Sequence, residues 1–286
     1  YWSKAALADS GLDPEKPPAT WDAVEAASDR TVKRDPDGSL ARAGFVPPWG
    51  NPPGLYAFFL YLWQKGGEFL SVDENRPAFN SAAGIDALEW MVKMVTRQGG
   101  MEGLTPLTTG FESGPGKDVF TVGRLAMQYQ TSSAKVIYEE NVPDVKFGIG
   151  ALPLPAGGRP MNYAGGFALS VPKAARQADG AWRLAEFLTL KEQQLTWARE
   201  RAGVPVLRAV AQSADYLQND AARKVFVDEL VRGANWVPTI PGTVDVLNAF
   251  GKEFTAAING EKPPRDALNA AAAQVQVVLD QHKQYR

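Results

Sequence analysis

The chain has no cysteine and a single histidine, His282. Without cysteine there can be no disulfide, thiolate metal site, iron–sulfur cluster or cysteine nucleophile, and the redox compartment stays open. One histidine near the end of the chain leaves neither a Ser-His-Asp triad nor a multi-histidine metal site to be expected. Basic charge is not in excess either: 30 Lys and Arg stand against 32 Asp and Glu, for a net charge of −2. A protein that binds a phosphate backbone needs a surplus of cations, so nucleic acid is not an expected partner. Long apolar runs are also missing. The longest, LYAFFLYLW at 55–63, has nine residues, less than half of a membrane span. The chain opens with YWSK rather than with methionine and an apolar leader, which implies that something upstream has been removed.

What is present is ordinary globular material: 286 residues, 45% apolar, 10% aromatic and 22% charged. That suffices for one large domain or two small ones with a sizeable core. Helical periodicity dominates. Thr20 followed by Trp21-Asp22 reads as an N-cap and an acidic first turn, opening a helix to about Val32. The 55–65 run, apolar on all sides and stopped by Gly66-Gly67, predicts a buried helix. Ile85, Leu88, Val92 and Val95 form one helical stripe, and Trp90 and Trp182 fall on helical stripes that predict core positions. Thr189-x-x-Glu192 fits a capping box for a helix ending at Gly203. Further helices are expected over 221–232, 244–259 and 265–282. Strands are expected at 43–46, 125–129, 145–151 and 167–171, each broken off by proline or turn residues. Helices outnumber strands roughly two to one with the strands scattered among them, which predicts an α/β fold.

Three segments invite catalytic or ligand readings. Gly110 to Lys117 has the look of a phosphate loop, but Phe111 and Asp118 occupy the places of its glycine and Ser/Thr, so a loop is the better reading. Asp35-Pro-Asp37-Gly38 starts like a calcium loop, but Val46 stands where the bidentate glutamate belongs, so it reads as a surface turn. Glu68, Glu112 and Asp118 lie near loops and are the carboxylates to examine for a glycosidase pair. No metal or cofactor is expected. The aromatics are more suggestive. Trp49 and Asn51 sit in a Pro/Gly-rich turn, Tyr56 follows it, and Tyr163 precedes Gly165-Gly166. A ring face beside amides and bare backbone suits a sugar, whose C–H faces stack while its hydroxyls find polar partners.

Taken in order, several segments resemble the carbohydrate-binding, maltose-binding-protein-like family of extracellular solute-binding proteins that serve ABC importers. They are YWSK at 1–4 with ADSGLD at 8–13, PPATWD at 17–22, LWQKGGE at 62–68, FNS at 79–81, FTVGRLAM at 120–127, FGIGALP at 147–153, the glycines 165–166, and GVP at 203–205. The resemblance runs over essentially the whole chain. It implies two α/β lobes closing on a ligand like a periplasmic-binding-protein clamp. Residues 1–163 and 219–286 would form lobe two, 164–218 would hold a hinge crossing and a returning segment of lobe one, and the rest of lobe one would lie upstream. It also implies ligand contacts at Trp49, Asn51, Tyr56, Gln130, Tyr163, Gly165 and Gly166. Two departures stand out. Thr131-Ser132-Ser133 occupies the family's "G.W" segment, and Leu247 follows Ile240-Pro241 where the maltose binders carry a stacking tryptophan.

The expected function is therefore a non-enzymatic, periplasmic or extracellular binding subunit, with a lipid anchor on its upstream part as one option. It would capture a mono- or oligosaccharide and hand it to the transmembrane subunits of an ABC permease. Two alternatives remain. A carbohydrate-active enzyme would have paired carboxylates across one cleft. A single-lobe fragment would bind nothing as it stands.

Overall fold

The computed structural model describes residues 1–48, 53–109, 114–201 and 203–283. Its elements are β1 (Trp2–Ser3), α1 (Lys4–Asp9), α2 (Trp21–Thr31), β2 (Lys33–Arg34), β3 (Leu40–Phe45), α3 (Pro53–Gln64), α4 (Ala82–Arg97) and α5 (Gly100–Leu104). After a 3₁₀ turn at Thr105–Thr108 come β4 (Leu125–Met127), α6 (Ser133–Asn141), β5 (Phe147–Gly148), β6 (Asn162–Tyr163), α7 (Ala178–Leu188) and α8 (Lys191–Arg201). The chain continues through α9 (Arg208–Ala211), α10 (Ala214–Leu217), α11 (Ala221–Arg232), β7 (Ala234–Asn235), α12 (Thr243–Ile258) and α13 (Pro264–Gln281).

Local chemistry sets many of these boundaries. The Thr20 hydroxyl accepts a hydrogen bond from the Ala23 amide at 3.1 Å and starts α2, and Asp220 caps the Ala222 and Arg223 amides at the start of α11. Each replaces a backbone partner that a first helical turn lacks. Five strands make one sheet in the order β2-β3-β4-β1-β5. β3 and β4 are parallel, and the other neighbours are antiparallel. Gly44 lets β3 lie against α2, because a Cβ there would stand 2.2 Å from the Ser28 carbonyl oxygen. Beside it, the Gly44 and Phe45 amides donate to Gln98 Oε1 and Ser28 Oγ, so buried backbone is satisfied by side chains instead of a ladder.

The apolar 55–65 run forms the central helix α3, whose Ala57, Phe58, Phe59, Leu60 and Leu62 are wholly enclosed. Phe250 of α12 meets Phe58 and Phe79 with ring centroids 5.0 and 4.9 Å away. α13 packs along α12, joined to it by buried Glu253, which pairs with Lys262 and accepts from Gln274 Nε2. A second, small cluster of Ala198, Ala211, Tyr216 and Val227 belongs to α8–α11. Between the two clusters run β6 and β7, parallel, with Tyr163 opposite Asn235.

Four expectations from the sequence need correction. Trp182 is 60% exposed rather than core, because among the described residues the apolar stripe of α7 (Leu184, Phe187, Leu188) is only partly covered and no residue of the helix is buried. The 167–171 segment is extended but is not a strand; no neighbouring strand pairs with it among the described residues, and Phe167 stands open. Thr189 does not cap α8, since its hydroxyl donates back to Ala185 and Glu186 carbonyls of α7. Of 145–151 only Phe147–Gly148 pairs, against β1. Among the described residues no helix is long and apolar enough to cross a membrane.

Phe250 is fully buried among five other phenylalanines. Phe250→Ala is expected to cost about 3–5 kcal/mol of unfolding free energy in urea titration. The hydrogen bond from Lys262 holds the Glu253 carboxyl below its ordinary range. Its stabilisation is therefore complete above the unfolded pKa and disappears as pH falls through the depressed folded value. Glu253→Gln should flatten the acid side of the stability–pH curve.

Candidate functional site

A cleft of about 1540 Å³ separates the main body from α7–α9. It is larger than the roughly 300–1,000 Å³ of a typical small-molecule pocket. One wall is built on the sheet and α3. At its floor Trp21 and Trp90 stack with centroids 4.3 Å apart, and Tyr61 of α3 meets Trp90 edge-on at 5.0 Å. Trp21 is held from behind by a 3.3 Å bond from its indole N–H to Gln64 Oε1. The opposite wall carries Trp182, Gln193, Trp197 and Arg208.

Beyond β4 the chain runs along the cleft through Gln128, Tyr129, Gln130 and Thr131. This stretch is anchored from the side away from solvent. Gln128 Nε2 donates to the Tyr138 hydroxyl at 2.8 Å, and that hydroxyl donates to Asp118. Asp118 in turn accepts from the Phe120 and Thr121 amides. Burial and the neighbouring Asp118 push the Tyr138 phenol above its ordinary range, so it stays a donor. Gln130 turns its Oε1 to the Thr131 amide at 2.9 Å, and its side chain also hydrogen-bonds Tyr138. On α11, buried Glu229 accepts from the Leu152 amide at 3.2 Å and pairs with Arg232 at 3.1 Å.

The structure brings four of the seven residues proposed from sequence to this cleft: Gln130, Tyr163, Gly165 and Gly166 line it. Tyr56 stands one layer back, its ring stacked on Tyr163 at 4.9 Å, so it supports a lining ring instead of lining the cleft itself. A Cβ on Gly165 would come within 2.9 Å of the Tyr163 ring, so any side chain there would have to displace the ring or the backbone beside it. Trp49, Asn51 and Glu112 lie outside the described residues. Glu68 is paired with Arg159 and Asp118 is engaged by backbone and Tyr138; neither lines the cleft. Sequence reasoning missed Trp21, Tyr61, Trp90 and Tyr129 on the floor. The signal for Tyr61 was available: it is one of two hydroxyl-bearing residues in an otherwise apolar run. Among the described residues no group of three acidic or histidine side chains is placed to hold a metal.

The family model for bacterial extracellular solute-binding proteins matches residues 1–195. A Brucella abortus (strain 2308) chain described as a binding protein is 22% identical over 281 residues, which cover 98% of this chain and 65% of that one. The sn-glycerol-3-phosphate-binding periplasmic protein UgpB of Brucella melitensis is 24% identical, covering 95% of this chain and 63% of its own. This chain thus spans about two-thirds or slightly less of the length of these relatives, 65% and 63%. The cyclic alpha-maltosyl-1,6-maltose binding protein of Arthrobacter globiformis superposes with a TM-score of 0.77 at 26% identity, covering 98% of this chain and 69% of that one. An ABC transporter solute-binding protein of Thermotoga lettingae bound to alpha-D-tagatose gives a TM-score of 0.80 at 24% identity, covering 97% and 69%. The fold is thus the mixed α/β architecture of two-lobe periplasmic binding proteins.

The Tyr138 hydroxyl ties Gln128 to Asp118. Tyr138→Phe should lower stability by about 0.5–1.5 kcal/mol, the net worth of a typical hydrogen bond between half-buried groups. Denaturant titration of both proteins measures it.

Proposed function

The chain belongs to the bacterial extracellular solute-binding proteins, and from that premise we propose that it is the substrate-binding subunit of an ABC transporter that captures a sugar and delivers it to a membrane permease. The observation that carries the sugar reading is the make-up of the cleft wall. Ring faces at Trp21, Trp90 and Tyr163, amides at Gln128 and Gln130, and bare backbone at Gly165 and Gly166 face one space. A sugar offers the matching surfaces, apolar C–H faces for the rings and hydroxyls for amides and backbone.

In this proposal residues 1–163 and 219–286 form one lobe, 164–218 belongs to the other, and the chain crosses near Tyr163. Ligand contacts are assigned to Trp49, Asn51, Gln130, Tyr163, Gly165 and Gly166, with Tyr56 acting through Tyr163. Sugar touching both lobes favours the closed state, and closure presents the surface that the permease subunits dock on. The protein works outside the cytoplasmic membrane, periplasmic or extracellular, with a lipid anchor as one way of holding it there. It is proposed to be a binding protein and not an enzyme. Of the carboxylates the sequence offers for a glycosidase pair, Glu68 is tied to Arg159 and Asp118 to backbone amides, Glu112 lying outside the described residues, and the similar proteins are described as binding proteins.

Calorimetry of this chain with maltose, mannobiose and D-tagatose should give saturable heat with at least one of them and no release of reducing sugar. Trp49→Ala should weaken that binding by about 1–3 kcal/mol, as loss of an aromatic stacking face does elsewhere, and by more than any Asp or Glu substitution. An enzyme would behave the other way, one carboxylate substitution abolishing turnover with affinity nearly intact. Silence with all three sugars would favour the non-binding alternative.

A further inference from the structure

Residues 165–171 follow β6 and hydrogen-bond to nothing among the described residues, by backbone or by side chain. The last bond before them runs from the Ala164 amide to Asn235 O at 2.8 Å, and the first after them from the Ala175 amide to Pro172 O at 2.9 Å. From Gly165 to Ser170 every residue is exposed. A row of open N–H and C=O groups is a template for another strand, which proteins ordinarily blunt with charge or proline. Here the blunting comes late: no charged residue stands between Arg159 and Lys173, and Pro172 closes the segment only at its end. Phe167, Leu169 and Val171 alternate with Ala168 and Ser170, so as a strand the segment presents three apolar side chains on one face.

We propose that residues 167–171 pair antiparallel with the same segment of a second copy of this chain, giving a symmetric dimer. The sequence of the segment is what names the occupant. Antiparallel pairing about a two-fold axis at Leu169 sets Phe167 opposite Val171 of the second copy, Ala168 opposite Ser170, and Leu169 opposite its own equivalent. The order apolar, small, apolar, small, apolar reads alike from either end. One patch can therefore serve both sides, as a two-fold interface requires. Apolar side chains then meet apolar side chains across the pair, which is the unit that stabilises a sheet. Main-chain hydrogen bonds supply the rest, in the manner of strand addition to an open edge.

The surface around the segment is of the size such a contact needs. Phe167, Leu169, Trp182, Leu188, Trp197 and Val206 line the same cleft and are all exposed. Phe167 is 99% open and the two tryptophans 60% each, which amounts to roughly 300–550 Å² of ring surface at about 150–250 Å² per ring. The three aliphatic side chains add to it. The largest apolar patch on a monomer is ordinarily about 300–600 Å², and the smaller specific interfaces bury about 600 Å² or less on each partner. One copy thus has enough apolar surface here to be covered by its equal. α7 is open to that second copy as well, since no residue of the helix is buried. The pairing does not depend on which solute the cleft takes.

The test is sedimentation velocity of the full chain over a concentration series, with Leu169→Lys and, as a control, Val244→Lys. Both replaced side chains are exposed, Leu169 at 57% and Val244 of α12 at 70%, so the fold is retained, and thermal unfolding checks it. The expected result is a species of twice the chain mass that grows with concentration. Leu169→Lys sets like charges opposite one another across the axis and should weaken association roughly tenfold or more. Val244→Lys should leave association unchanged. Hydrogen exchange on the unsubstituted chain reads the same contact independently: exchange within 167–171 should slow as concentration rises. A single species of one chain mass at every concentration would overturn the pairing. So would a dimer that Leu169→Lys leaves intact or that both lysine substitutions weaken equally, and so would exchange within 167–171 that is the same in monomer and dimer.

Discussion

A helix with apolar side chains on every side has no face to offer water, so α3 must be enclosed. The Phe69–Phe79 stretch, α4, α12 and the crossing strand β6 supply the enclosure. Each large apolar side chain buried in this way contributes about 1.5–3 kcal/mol, and Leu55, Phe58, Phe59, Leu60 and Leu62 are all at or near full burial. The same constraint builds the cleft. Because α3 cannot move without exposing that surface, the tyrosines it carries are fixed: Tyr61 edge-on to the Trp21–Trp90 stack and Tyr56 behind Tyr163. Rigid packing on one side thus gives preorganised rings and hydroxyls on the other.

The cleft has a second, looser wall. α8–α11 share a core of only a few residues, and α7 buries none of its own. In the proposed arrangement the chain crosses to this wall just after β6, which pairs with β7 over two residues, and α11 touches both sides, with Val227 in the small cluster and Phe226 beside Tyr1 of the main body. A short parallel link flanked by Gly165 and Gly166 is a place where backbone angles can change at small cost. Closure of one wall on the other, the motion the proposed function requires, would act at this link.

The helices were legible in the sequence where a long apolar pattern met a clear stop. α2, α3, α4, α12 and α13 appear where periodicity, the Thr20 cap and the Gly66 stop put them. Strands were much less legible, because most are two or three residues long and exist only through a partner far along the chain; β1 is paired through Met127 and Gly148. Among the described residues the 167–171 segment has strand composition and no strand partner, and Trp182 has a core pattern but stays 60% exposed. Composition states what a residue could bury, whereas the fold decides whether anything arrives to bury it. Thr189 failed for a related reason: its hydroxyl serves the end of α7 with carbonyls already in reach. At the site, Tyr163, Gly165 and Gly166 could be read from bare backbone beside a ring. Trp21 and Trp90 could not, since a tryptophan on an amphipathic stripe looks the same whether it fills a core or floors a cleft.

The central claim is that a sugar sits in this cleft, with Tyr61 and Tyr163 in its lining. A crystal structure of the chain grown with the sugar that gives the largest calorimetric heat tests it most directly. The account predicts sugar density between the two walls. One ring should lie against Tyr163 and Gly165, and a ligand hydroxyl should lie about 2.7–3.0 Å from the Tyr61 oxygen, the ordinary O–H···O range. Ordered sugar elsewhere on the protein, with the cleft holding only solvent, would contradict it.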